Sequence, residues 1–523
     1  MASLVLTLGA SALAPSLGLG AFGNALLGTA AAIGGAYIDS LLFSGGKDTT
    51  YEGTSLDSLK VTSSTEGNAI NRAYGRARLG GEIIWATDLE EVVQTETQSS
   101  GGKGGGAKTT TKTYVYYANF AVGICEGPGV YLNRIWADGN ELDMSEFDFR
   151  FYTGTETQDP DSLIESIEGS GKAPAYRGLS YIVFERLELT DFGNRVPQLT
   201  FEIIRPSPAR ELEKAIRGVN LIPGSTEFGY EPDVMRKQAT STSGTVTSET
   251  YENMHQKQGV SDWQVSLDQM TNALPNIKSV CLVVSWFFDD LRCGQCQIKP
   301  KVEIRGKTTS PYSWAVAGLT RDTADLITQL TNEDGSEYAA YGGAPSDKSV
   351  INAIKDLKAR GYEVMLYPFI MGDIPADNGL ADPYGGDDQS VFPWRGRITC
   401  HPAAGQVDTV DQTSTAGDQV EAFLGTADAS DFSVSGETVT YSGPNEWRYR
   451  RFILHMASLA EAAGGVTSFC IGSELVGLTT VRNTSTSYPF VDGLKDLAGE
   501  VRSIAGASTK IGYAADWSEY HSQ

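Results

Sequence analysis

The sequence predicts an α+β chain of more than one domain, in which a β-rich region is followed by an incomplete or partial (β/α) barrel-like domain. Three observations carry that prediction. Two apolar runs, SVCLVVSWFFDD at Ser279–Asp290 and FCIGSEL at Phe469–Leu475, stop abruptly at carboxylates. Buried parallel strands read this way, apolar on both faces with their polar groups at the C-terminal end. Amphipathic helical stretches precede the later strands, and helix-then-strand alternation builds a parallel sheet. Finally, 523 residues exceed what one core organises, so two or three domains are expected.

Taken in order, Met1–Ile38 carries no charged residue. It is long enough to cross a bilayer, but Ala, Gly and Pro15 keep its hydrophobicity modest, and it lacks the basic start of a signal peptide. Residues 1–45 read as an apolar Ala/Gly-rich segment in which Met1–Ile38 is expected to form a helical hairpin of small residues inside an oligomer, with a membrane-active plug as the alternative. Residues 46–210 read as β-rich. Thr113–Gly123, Tyr181–Leu187 and Gln198–Ile204 have strand patterns, and Arg134–Leu142 has an Asp138-Gly139 hairpin turn. Gln94–Thr113 is too polar and glycine-rich to order itself, so a mobile hairpin tip is expected, with Gln98–Thr111 projecting. It is not a phosphate loop: Ala107 stands where the glycine before the lysine belongs, and a strand rather than a helix follows.

Residues 211–270 read as a linker and connection, with a polar tract at Gln238–Thr250. Residues 271–523 then alternate helix with strand. Ser346–Arg360 puts Val350, Ile351, Ile354 and Leu357 on one face, with Ser346 as N-cap and Gly361 as stop, and feeds Glu363–Met371. Arg448–Ala463, striped by Phe452, Met456, Leu459, Ala460 and Ala463, feeds the Phe469 strand, and Val491–Ile504 feeds Lys510–Trp517. Four strands are counted from Ser279, a fifth is sought within Lys301–Tyr341, and Pro402–Tyr441 reads as an insertion. A closed eight-unit barrel takes roughly 250 residues of compact units, so the expectation is either a partial barrel or one whose remainder belongs to a longer chain.

Composition excludes some functions. With 41 Lys and Arg against 65 Asp and Glu, the net charge is −24, the wrong sign for gripping nucleic acid. An acidic wall does suit a conduit through which DNA slides without sticking. Six cysteines are too few for a secreted disulfide framework. Cys293 and Cys296 form one CxxC, half a zinc site that Cys400 and His401 would complete only if the fold joins two loops. Reduced thiols or a local disulfide are the plainer reading. His455 reads as a packed helix residue, and no cofactor is expected. The candidate catalytic residues are Glu474, Asp290 and Asp516, at strand ends where barrel chemistry sits, with Asp289 beside them. Glycoside hydrolysis needs two such carboxyls, about 5 Å apart for retention and further for inversion. The structural alternative is that these acids cap helices or pair with Arg292, Arg482 or Arg502.

Several stretches carry a family resemblance. EKAIRGVNLIPGSTEFGYE from Glu213, the run from Ser261 through SVCLVVSWFFDDLRCGQCQIKPKVE, RGRITCHPA at Arg395 and FCIGSELVGLT at Phe469 resemble the phage tail and gene transfer agent host-specificity family. NRAYGRARLGGEIIWAT at Asn71 and TYVYYANFAVGICEGPGVYLNRIWADG at Thr113 are similar to its tail-hub region. The resemblance implies a tail-hub domain at 46–210 and a glycosidase-like barrel at 271–523. It also implies a virion protein at the tail tip or baseplate, closing the tail channel and taking part in host attachment and envelope penetration. Implied partners are two further copies in a homotrimer, the distal tail protein, other hub proteins, a tail-associated peptidase and the tape measure. A host-envelope glycan or receptor, DNA in transit and membrane contact by residues 1–38 complete the set. In glycosidases of this barrel type an asparagine precedes the acid/base glutamate of the fourth strand, and a late strand supplies the nucleophile. Here Gly472 and Ser473 precede Glu474. A structural role is therefore expected, with a glycoside hydrolase acting on peptidoglycan or surface polysaccharide as the runner-up.

Overall fold

The computed structural model describes residues 49–52, 67, 69–99, 108–207, 211–222, 224–240 and 246–520, so the expected hairpin in Met1–Ile38 lies outside the described residues. Among those described, no helix is long and apolar enough to cross a membrane. They divide into two compact units, one comprising residues up to 207 with Lys257–Gly259, the other the remainder from 211.

The first unit is built of two sheets. Its central strand, Lys108–Glu126, pairs antiparallel with Glu82–Ala86, Glu90–Ser99 and Leu179–Glu188, and the last of these pairs with Asp148–Tyr152. The second sheet runs Gly75–Gly80, Leu199–Arg205, Tyr131–Ala137, Asn140–Glu141. Phe120, Ile135, Phe184 and Phe201 fill a common core, with the Phe120 and Phe184 rings stacked 4.9 Å apart. The expected hairpin turns on Asp138 and Gly139, at φ 49° and 89°, the paired positive angles that match strand twist in a two-residue turn. The glycine-rich tract needs correcting. Gln94–Ser99 pairs residue by residue with Lys108–Thr113, so the strands run up to 99 and resume at 108. Of the expected Gln98–Thr111 projection, 98–99 and 108–111 are therefore strand, and 100–107 lies outside the described residues. Threonines are frequent in this tract, and their β-branched side chains favour a pleated ladder despite their polarity.

The second unit is organised by a parallel sheet whose strands follow sequence order: β1 (Gly218–Leu221), β2 (Ser279–Phe288), β3 (Glu363–Gly372), β4 (Ser468–Ser473) and β5 (Lys510–Ala514). Its helices are α1 (Asp262–Ala273), α2 (Asp347–Ala359), α3 (Ser414–Leu424), α4 (Tyr449–Ala462) and α5 (Pro489–Ala505). Parallel units cross over with one hand as a rule, so a strand order that never reverses places the connecting helices on one face, as in a barrel wall. Among the described residues the sheet is open, ending at β1 and β5.

Two expectations about this sheet change. Its first strand comes from the region read as a linker: β1 has four residues, none fully buried, and offers no apolar run to recognise. The fifth strand sought in Lys301–Tyr341 is absent from the sheet. That stretch forms two- and three-residue strands that pair with one another or, at Thr308–Ser310, with Arg236–Thr240.

Alternation explains the packing. Val280, Leu282, Val284 and Trp286 of β2, and Val364, Leu366 and Ile370 of β3, share a core with Val350, Ile354 and Leu357 of α2 and Phe452 and Leu459 of α4. The other face of β3, Met365, Tyr367, Phe369 and Met371, is only half-buried. Gly361 stops α2 in the left-handed region at φ 87°. Ser346 stands at the N-cap, but its hydroxyl donates to Ala315 O at 3.3 Å instead of capping. α4 is buried on nearly every side because the hairpin Phe432–Ser435 and Thr438–Tyr441, part of the expected insertion, covers its outer face. There Arg451 lies 4.3 Å from the Tyr441 ring centre. His455 is packed as expected, against Trp286 and bonded to Asp347 at 2.9 Å.

Candidate functional site

The C-terminal ends of the parallel strands gather the acidic residues. Asp289 and Asp290 follow β2, Asp373 follows β3, Glu474 follows β4 and Asp516 lies just past β5. Most of these carboxylates are held by neighbours close in the fold. Asp290 accepts from the Arg292 guanidinium at 2.6 Å, from the Arg292 backbone N–H at 2.8 Å and from Gln389 Nε2 at 2.7 Å. That is the pairing with Arg292 anticipated as the structural alternative. Asp289 accepts from the Gln297 N–H at 2.8 Å, and burial pushes its carboxyl above the usual range. Asp373 pairs with Lys301 at 2.7 Å. Asp516 takes the backbone N–H of Ser518 at 2.9 Å and its hydroxyl at 2.5 Å, and these bonds hold it below the usual carboxylate range. Arg482 instead pairs with Asp411 at 2.6 Å, and Arg502 donates to the backbone carbonyls of Gly506 and Ala507.

Glu474 is placed differently. It ends the fourth strand with φ 51°, a left-handed conformation uncommon for a residue with a Cβ, while its N–H completes the sheet to Ala514 O at 2.9 Å. Its Oε2 accepts from Arg395 Nη2 and from Trp394 Nε1, the latter at 3.1 Å. Arg395 is 7% exposed and tightly committed. Its Nε donates to Ser473 O at 2.8 Å, its Nη2 to Ser473 Oγ at 3.0 Å, and its guanidinium lies 3.8 Å over the Phe369 ring. The Ser473 hydroxyl also bonds Tyr367 Oη. β3, β4 and the Trp394–Arg395 segment thus build one constellation around Glu474. Among the described residues no hydrogen bond or ion pair joins Glu474 to Asp290 or Asp516.

Sequence reasoning located Glu474 but not its partners. Trp394 and Arg395 lie about eighty positions upstream in an irregular segment with no periodicity to mark them. The only local signal was an aromatic and a basic residue amid Pro and Gly, FPWRGR.

The cysteine loops do meet. Arg292 and Thr399 form a parallel bridge, and the Cys293 N–H donates to Thr399 O at 2.8 Å. All six thiols are nevertheless free and buried, and among the described residues no group of three or more metal-ligating side chains assembles. Burial pushes the Cys293, Cys296 and Cys400 thiols upward, away from the thiolate a metal needs. A cavity of about 730 Å³ lies beside α5, lined by Ile471, Leu494, Ala498 and Tyr513 among others. It does not include Glu474.

Residues 447–523 match the model of the GTA TIM-barrel-like domain family. No curated protein matches the chain. Among solved structures, a chain from the virion of a native gene transfer agent (GTA) particle is 34% identical over 37% of this chain and 41% of its own, with a TM-score of 0.23. A GH113 β-1,4-mannanase, solved alone and as a complex, is 14% identical over 48% of each chain, with a TM-score of 0.23. The chain spans less than half the length of the solved relatives it matches.

Proposed function

From the match of residues 447–523 to the GTA TIM-barrel-like domain family, we propose that the chain is a structural protein of the virion, a baseplate hub at the tail tip. It closes the tail channel and takes part in host attachment and envelope penetration. In this reading residues 46–210 are the tail-hub domain and 271–523 a partial glycosidase-like barrel. Three copies surround the tail axis, in contact with the distal tail protein, the tape measure, other hub proteins and a tail-associated peptidase. DNA passes without being bound, in keeping with the net charge of −24.

One observation supports a structural over a hydrolytic role. Hydrolysis of a glycosidic bond needs two carboxyls facing it. Of the candidates, Asp290 is buried and bonded on both oxygens by Arg292 and Gln389, so it is not offered to a bond held at Glu474, and Asp516 spends one oxygen on Ser518. The runner-up, a glycoside hydrolase acting on peptidoglycan or surface polysaccharide, is favoured by a single feature, the glutamate that ends the fourth parallel strand.

Deleting the gene tests the proposal. The expected product is DNA-filled heads that do not transfer DNA, with transfer restored by both the wild-type chain and Glu474→Gln. Normal transfer without the chain contradicts the hub role. Hydrolysis of peptidoglycan that vanishes in Glu474→Gln establishes the runner-up instead.

A further inference from the structure

We infer that Trp394 and Glu474 form a non-hydrolytic subsite for a neutral pyranose, at the C-terminal ends of β3 and β4. The argument rests on what each side chain leaves free. Trp394 is 44% exposed although its indole N–H is bonded to Glu474 Oε2, so the ring is held in place and open to solvent at once. Gly396 lies against the six-membered ring so closely that any side chain there would collide with it, which backs the indole on that side. Both partners of Glu474 use Oε2. Among the described residues nothing donates to Oε1, and the Glu474 side chain is 35% exposed.

The support behind this pair is rigid. Arg395 is tied to Ser473 by two hydrogen bonds and stacked on Phe369, so it cannot swing away from Oε2. The left-handed backbone of Glu474 points the same way, since such conformations persist where the surroundings over-determine them, commonly at ligand sites. An indole face beside an unclaimed carboxylate oxygen suits a sugar ring. The C–H face of the pyranose stacks on the aromatic surface while a ring hydroxyl donates to Oε1.

Charge narrows the ligand class. Arg395 already balances the Glu474 carboxylate, so the pair offers little to a cation. The net charge of −24 disfavours phosphate- or carboxylate-bearing sugars. A neutral hexose of an envelope polysaccharide remains. Only that biological source rests on the tail-tip reading; the chemistry of the subsite does not.

The test titrates the full chain with cellohexaose, mannohexaose and chitohexaose, following tryptophan fluorescence and saturation-transfer NMR. At least one hexaose is expected to bind saturably and to be recovered uncut. Trp394→Ala should weaken it by about tenfold or more, the loss of one stacked ring. Trp394→Phe, which keeps an aromatic face but loses the N–H, should weaken it less with an unchanged melting temperature. It decides the matter if the alanine variant unfolds. Binding of none of the three sugars, or equal affinity in wild type and Trp394→Phe, overturns the subsite. Neither result touches the hub reading, which fails separately if purified particles lack the chain.

Discussion

Arg395 is the residue on which the constellation depends. Burial pulls its guanidinium below the ordinary arginine range, and the Glu474 carboxylate opposes that pull. A buried cation is tolerated when its donors are used, and here they go to Ser473 and Glu474. Removing it leaves the Ser473 carbonyl and hydroxyl without that donor in a closed setting. Arg395→Met, which keeps the volume but not the donors, should therefore cost about 3 kcal/mol of stability in urea unfolding. Glu474→Gln keeps an acceptor oxygen on a partly exposed side chain and should cost less than about 1 kcal/mol. The reverse ranking contradicts the idea that Arg395 anchors and Glu474 is presented. At this scale Glu474 was legible because a carboxylate ended an apolar run. Arg395 was not, because tertiary contact across about eighty residues leaves no spacing in the sequence.

Among the elements, β3 and the segment after it do the positioning. The strand ends at Gly372, where an added Cβ would collide with Pro393 O, the carbonyl just before Trp394. Backbone has little room to yield, so Gly372→Ala should push the Pro393–Arg395 segment outward. A loss of about 1–3 kcal/mol is expected, together with weakened Trp394-dependent sugar binding. An unchanged melting temperature with unchanged binding would show that the close approach positions nothing. Much of the element pattern could be read beforehand. The stripe Val350, Ile351, Ile354 and Leu357 and the strand it feeds announce themselves because burial on one face forces periodicity. β1 stayed hidden because four half-exposed residues carry no such pattern and depend on β2 for their pairing. The paired strands at 94–99 and 108–113 were misread because ladder hydrogen bonding is invisible in composition.

At the scale of the whole molecule, the proposed role as a wall of the tail passage draws on the net charge of −24, which keeps DNA from binding. The proposed homotrimer belongs to the same reading, in which the subunits that close a tail axis share its rotational symmetry. Cryo-electron microscopy of purified particles carrying a small tag on this chain tests the central claim most directly. The account predicts tag density at the tail tip, in three copies about the tail axis. Density on the head or along the tail tube, or particles that lack the chain altogether, would contradict it.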